Sequence, residues 1–183
     1  MAKPPSETRQ RIQDVARELF TEKGVQRTSL QDIADRLGIT KPALYYHFRS
    51  REDLVRSILQ PLFDEGETFV AGQESRRGAN RPSPREVLQG YFDFHYRHRA
   101  DLVLIISELT TLADLGLIDA LLAWRERLGK VVFGRRPTLE QSVRAVIAFG
   151  GLQDCCLQFP DTPQDQLRRA GVDGAMAALG LPD

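Results

Sequence analysis

Lys41, Tyr45, Tyr46, His47 and Arg51 fall within one short stretch and bring together ammonium, phenol, imidazole and guanidinium groups. Such groups on a short helix donate to phosphate oxygens and base edges. The patterns that bond-breaking chemistry needs are absent: the chain has no Ser/His/Asp arrangement, glycine-rich phosphate loop, HExxH or CxxC. His95 and His98 stand one helical turn apart, a spacing that suits a metal, but no nearby carboxylate or cysteine completes a ligand set. Cys155 and Cys156 are adjacent, which disfavours a structural disulfide, and read as two small buried thiols. No enzyme, metal or cofactor is expected.

The elements that position the polar stretch read as helices. Ile12, Val15, Ala16, Leu19 and Phe20 form one apolar face of a helix from about Ser6 to Lys23, closed by Gly24. Ser29 and Asp32 make a capping box for a short second helix with Leu30, Ile33, Ala34 and Leu37 inward, and Gly38 breaks it. Thr40 is the N-cap of a third helix and Pro42 lies in its first turn, where its missing N–H does no harm. Leu44 and Phe48 anchor that helix inward, and the polar groups are left outside. Two short helices around a glycine turn form a helix-turn-helix over residues 29–48, a device that sets its second helix in the major groove of DNA. So short a helix reads few bases alone, and a dimer is expected.

The front of the chain is basic, with a net charge of +3 over residues 1–60 and −3 over the remainder. That asymmetry agrees with nucleic acid in front. No apolar run reaches the ~20 residues of a membrane span, and the polar, proline-bearing start is no secretory signal, which predicts a cytoplasmic protein without membrane contact. Further helices are expected after Ser50, where Pro61 should introduce a kink, after the capping box Ser83–Glu86, near 100–112 and 117–132, after the capping box Thr138–Gln141, and from Pro163 to about Leu179. Residues 76–82 read as a mobile loop. The expected fold is all-α, about nine helices, with a DNA-binding domain over 1–55 and a helical dimerisation and ligand-binding domain over 56–183.

The run from Ile39 to Leu54, together with Ile12, Ala16, Leu19, Phe20, Gly24, Thr28, Ser29, Ile33, Ala34 and Gly38, resembles the signature of the TetR (tetracycline repressor) family. The resemblance covers about the first 60 residues, and only the all-helical layout carries beyond them. It implies a regulator that binds a palindromic, double-stranded operator as a homodimer and is released by a small-molecule effector. Repression is the usual mode, with activation open. It implies that Ser29 and Thr40 meet phosphate, that Lys41 reaches bases or backbone, and that Tyr45 and His47 bond phosphates. Tyr46 would pack on backbone or a thymine methyl, Arg51 would clamp phosphate, and Gln31 and Ala43 would read bases. Pro42 departs from the usual glycine, which puts a close backbone approach there in doubt.

In the rear half, Leu139, Val143, Val146, Ile147 and Gly150 make an apolar stripe, and Gly150 with Gly151 suggests a close helix contact, across a dimer or within the subunit. The last helix, through Leu167, Met176 and neighbours, would complete a four-helix dimer interface. Phe92, His95, Tyr96, Glu108 and Trp124 are the candidate effector pocket, with an ordinary core position or helix surface the alternative for each of His95 and Glu108.

Overall fold

Capping chemistry sets most of the helix boundaries in this chain, whose computed structural model describes residues 5–107 and 117–181. The helices are α1 (Pro5–Lys23), α2 (Leu30–Leu37), α3 (Lys41–His47), α4 (Arg51–Ser75), α5 (Pro84–Arg97), α6 (Arg99–Ser107), α7 (Leu117–Phe133), α8 (Leu139–Gln158) and α9 (Gln164–Leu179). Among the described residues there is no strand, so the fold is all-α with nine helices. Reciprocal capping boxes open α2, α5 and α8 from Ser29, Ser83 and Thr138. Each satisfies backbone N–H groups that a first helical turn leaves without partners.

The chain divides into two compact units. The first holds residues 5–61 and 104–107 of those described, and the second holds 62–103 and 117–181. The division falls at Pro61, later than the expected residue 55. Within the first unit, Ile12, Ala16, Leu19 and Phe20 of α1 close a core with Ile33 and Ala34 of α2, Leu44 and Phe48, and Leu54, Val55, Ile58 and Leu59 of α4. Pro61 lacks the N–H that Ser57 would receive in a regular helix. α1 supplies the substitute: Gln13 Nε2 donates to the Ser57 carbonyl at 3.1 Å, and Arg17 Nη2 donates to the Ile58 carbonyl at 3.1 Å. α4 therefore runs through the proline as one helix.

In the second unit, α5, α8 and α9 pack on one another through Phe92, Phe149, Leu152, Val172 and Leu179. Arg168 grips Asp93 with two bonds of 2.8 Å, and Arg85 meets Asp173 at 2.7 Å. Leu167 and Met176, expected on a dimer surface, are instead 6% and 4% exposed and belong to this core. α7 lies against α4 because Gly66 leaves room for an indole: a Cβ at Gly66 would collide with the Trp124 ring. Trp124 Nε1 donates to Glu67 at 3.1 Å, and Arg127 grips both Glu67 and Glu74. The segment expected to be a mobile loop contains a 3₁₀ turn at Gly78–Asn80 and is tied by Arg81, which donates to the Val131 carbonyl at 2.9 Å.

Gly66→Ala is expected to lower stability by about 1–3 kcal/mol through overpacking against Trp124. Gly72→Ala, in the same helix with nothing within 4 Å of the new Cβ, is expected to raise it by roughly 0.5–1 kcal/mol. Thermal melts of the two variants check this, and equal shifts would show that the indole is not wedged against Gly66.

Candidate functional site

α3 is seven residues long, too short to persist without tertiary packing. Leu44 and Phe48 are fully buried and hold it down. Arg9, from α1, lies over the Phe48 ring at 4.2 Å and donates to the His47 carbonyl at 2.8 Å, so the last turn of α3 is fixed from outside as well. The entry turn is equally determined. Gly38 adopts the left-handed conformation at φ 66°, its N–H donates back into α2, and Ile39 N–H donates to the Ala34 carbonyl at 3.0 Å. Only glycine takes that conformation without strain. Thr40 Oγ1 accepts from Ala43 N–H at 3.3 Å and starts α3.

The outward side of α3 is then Lys41, Pro42, Ala43, Tyr45 and Tyr46, all exposed, with His47 half-buried at its end. Tyr46 is 81% exposed and Tyr45 is 45% exposed. Lys41 Nζ sits 5.8 Å from the centre of the Tyr45 ring, and the Tyr46 and His47 rings meet edge to face at 5.2 Å. Large aromatic side chains held in solvent by a rigid short helix have no structural use within the unit. Their phenol, imidazole and ammonium donors match phosphates and base edges in a groove. Ser29 and Gln31 are exposed on α2 nearby in the chain. The Ser29 hydroxyl donates to Asp32 at 2.7 Å, which holds the Asp32 carboxyl below its usual range, and Gln31 Nε2 donates to Asp35 at 2.6 Å. The Ser29 hydroxyl must leave Asp32 to donate to a ligand, whereas the Gln31 amide keeps a second N–H and its oxygen for one.

Arg51 departs from the expected phosphate clamp. It turns back onto the turn between α1 and α2, donating to the carbonyls of Val25 and Gln26 at 3.3 and 3.1 Å, and it pairs with Glu52 at 3.6 Å. Its role here is to tie the start of α4 to that turn. Arg9 went unnoticed in the sequence, since its contact spans 38 residues and no local spacing signals it. Thr28 is buried and donates to the Gly24 carbonyl at 2.9 Å, which locks the same turn.

In the second unit, the residues expected to line a pocket are packed into the core. Phe92, His95 and Trp124 are 0%, 1% and 4% exposed, Tyr96 is half-buried and stacked on Phe92 at 5.6 Å, and Glu108 lies outside the described residues. His95 and His98 do not share a site. His95 points inward, its Nδ1 2.8 Å from the Tyr91 carbonyl, whereas His98 Nε2 stands 2.9 Å from Glu65. No group of His, Cys, Asp or Glu among the described residues is arranged to hold a metal ion. What the fold does gather is a polar set that sequence reasoning missed. Arg125 donates to Gln153 Oε1 at 2.8 Å and the buried Tyr91 hydroxyl donates to the same oxygen at 3.3 Å, with His95 alongside the Tyr91 ring at 3.9 Å. The set joins α5, α7 and α8, and only their packing brings it together. Burial pushes the Tyr91 phenol up to about 12, and burial, helped by the Arg125 charge, pushes the His95 imidazole down to about 4. Cys155 and Cys156 are free, and burial raises the Cys156 thiol to about 12, which removes it from nucleophilic chemistry.

The stripe of α8 beside this set faces solvent. Leu139, Val143, Val146 and Ile147 are 82%, 48%, 59% and 58% exposed. Gly150 is half-buried and Gly151 exposed. A Cβ at Gly150 would meet only Arg125 at 3.7 Å, and one at Gly151 would meet nothing within 4 Å. The glycine pair therefore makes no close helix contact within the subunit. That role falls to Gly171, where a Cβ would stand 2.9 Å from Leu152. Exposed Ala170, Gly174 and Ala177 lie on α9.

Burial of His95 makes stability depend on pH. The unfolded chain takes up this proton near pH 6.5 and the folded chain only near 4. The contribution is therefore complete above pH 6.5 and is lost as the pH falls toward 4, by about 3 kcal/mol in all. Denaturant melts between pH 7 and 4 are expected to show this loss, with a shallower decline in His95→Leu. Parallel declines in both proteins would contradict it.

Residues 12–58 match the family described as bacterial regulatory proteins, tetR family. The chain is 31% identical over 120 residues to the transcriptional repressor KstR2 of Mycolicibacterium smegmatis, over 63% of this chain and 56% of that protein. It is 33% identical over 91 residues to the transcriptional activator FasR of the same organism, over 50% of this chain and 42% of that one. The matched region thus spans about half the length of these curated relatives. Among solved structures, a TetR-like transcriptional regulator from Rhodococcus sp. RHA1 superposes with a TM-score of 0.75 at 19% identity, over 99% of this chain and 100% of that one, a likeness of fold.

Proposed function

We propose that the chain, whose residues 12–58 match the tetR family of bacterial regulatory proteins, is a ligand-responsive transcriptional repressor that binds a palindromic operator as a homodimer. The observation that carries this reading is the solvent-facing row Lys41, Tyr45, Tyr46 and His47 on a helix whose other side is fully buried. Lys41 and Tyr46 reach base edges and backbone, Tyr45 and His47 bond phosphates, and Thr40 and Ser29 contribute at the helix starts. Pro42 replaces a donor N–H at the start of α3, so affinity there rests on side chains. Arg51 serves by holding the motif together.

A second copy of this chain covers the α8 stripe. Val143, Val146 and Ile147 form an apolar strip beside Gly150 and Gly151, which let a facing helix approach closely. The effector engages the polar set of Tyr91, His95, Arg125 and Gln153, whose hydrogen bonds rearrange around it. A ligand shifts operator affinity only through different affinity for the two states of the protein. α4 is the covalent path for that difference, since its residues enter both units.

Selection of bound sequences from random duplex DNA tests the operator. The expected result is an enriched palindrome, affinity that falls steeply with salt, and loss of enrichment in Tyr46→Ala/His47→Ala. No enrichment from a folded dimer at low salt would overturn the reading. Light scattering tests the assembly. The chain of 20.6 kDa is expected to run as a dimer at micromolar concentration, and Ile147→Glu as a monomer. A monomeric parent protein would overturn the proposed interface.

A further inference from the structure

A groove with no part in the reading above lies within the second unit, between the end of α4, the 3₁₀ turn and the end of α7. It encloses about 600 Å³. Arg76, Arg77, Arg81, Arg127, Lys130 and Arg135 line it, against a single lining carboxylate, Glu74. We propose that this groove is a separate binding site for a small polyanion carrying two or more phosphate groups.

Three of the cations are matched by carboxylates. Arg127 is held by Glu67 and Glu74, Lys130 by Glu126 at 2.6 Å, and Arg76 by Glu86 at 3.5 Å. These pairs fix the walls. The other three are placed differently. Arg81 donates from one nitrogen to the carbonyls that end α7, where a cation is favoured. Arg77 donates to the carbonyls of Glu74 and Arg76. Arg135 is exposed, with no ion pair among the described residues. A carbonyl orients a guanidinium without cancelling its charge. Each guanidinium carries five N–H donors, so most remain available. Glu74, the carboxylate nearest to hand, already takes two bonds from Arg127.

Guanidinium forks match the oxygens of phosphate in pairs. Arg77 follows the end of α4, whereas Arg135, and Arg81 through its bonds to the Val131 and Val132 carbonyls, lie at the end of α7, so an anion with more than one phosphate group can engage cations of both walls. The groove also holds a polar atom without a partner. Gln73 Oε1 is buried and accepts no hydrogen bond among the described residues. Such an acceptor takes a donor from solvent and not from a phosphate, so it is the NH2 group of the same amide, turned about its last bond, that can meet an anion.

Isothermal titration of the full chain with inorganic pyrophosphate, and separately with inorganic phosphate, at constant low ionic strength tests the site. The expected result is one pyrophosphate per chain, bound at least tenfold more tightly than phosphate. Arg77→Gln/Arg135→Gln is expected to weaken it at least tenfold with operator binding retained, and Arg135→Gln alone, at an exposed position, about threefold. Lys41→Ala/Tyr46→Ala should leave pyrophosphate affinity unchanged while removing operator binding. The proposal is overturned by the absence of pyrophosphate binding, by equal affinity in the Arg77/Arg135 variants, or by loss of binding in the Lys41/Tyr46 variant, which would assign the anion to the helix-turn-helix.

Discussion

A helix of seven residues cannot hold itself together in water, and everything about the front unit follows from that constraint. α3 exists because Leu44 and Phe48 are completely buried beneath it and Arg9 closes over Phe48 from α1. The helix is therefore rigid for reasons that have nothing to do with its outer side. That freedom lets Tyr45, Tyr46 and Lys41 face water, where each would otherwise be a poor choice for stability. Gly38 and Thr40 set the direction in which α3 leaves α2, and Thr28 and Arg51 lock the preceding turn.

Long-range bonds do the comparable work in α4. A proline within a helix orphans a carbonyl, and here α1 supplies side-chain donors to Ser57 and Ile58. Beyond the proline, α4 is shaped to receive neighbours: Gly66 admits the Trp124 indole, and Glu67 and Glu74 receive Arg127. α4 is thus held by side-chain bonds on either side of Pro61.

Local chemistry was the part of this structure legible in the sequence. Ser29, Thr40, Ser83 and Thr138 cap helices as their spacing suggests, because a cap involves neighbours in the chain. The exposed face of α3 was legible for the same reason, as the complement of Leu44 and Phe48. Periodicity reveals that a helix has an apolar face but not what that face meets. Leu167 and Met176 thus read as dimer contacts and are core, while Val143 and Ile147 lie exposed. Phe92, His95 and Trp124 read as pocket residues and lie buried among the helices. Gly150 and Gly151 drew attention as a pair, yet the close approaches occur at Gly66, Gly90 and Gly171, where bulky partners arrive from distant helices. The set of Tyr91, Arg125 and Gln153 was invisible for that reason: its members lie on three helices and share no spacing.

In the proposed function the outer side of α3 enters a major groove, twice per operator. Methylation interference on a selected duplex tests it most directly, because dimethyl sulfate marks guanine N7 in the major groove and adenine N3 in the minor groove. Interference is expected at guanine N7 in two clusters, separated by one helical turn of about 34–36 Å or a multiple of it. Interference confined to adenine N3, or a single cluster, would contradict it.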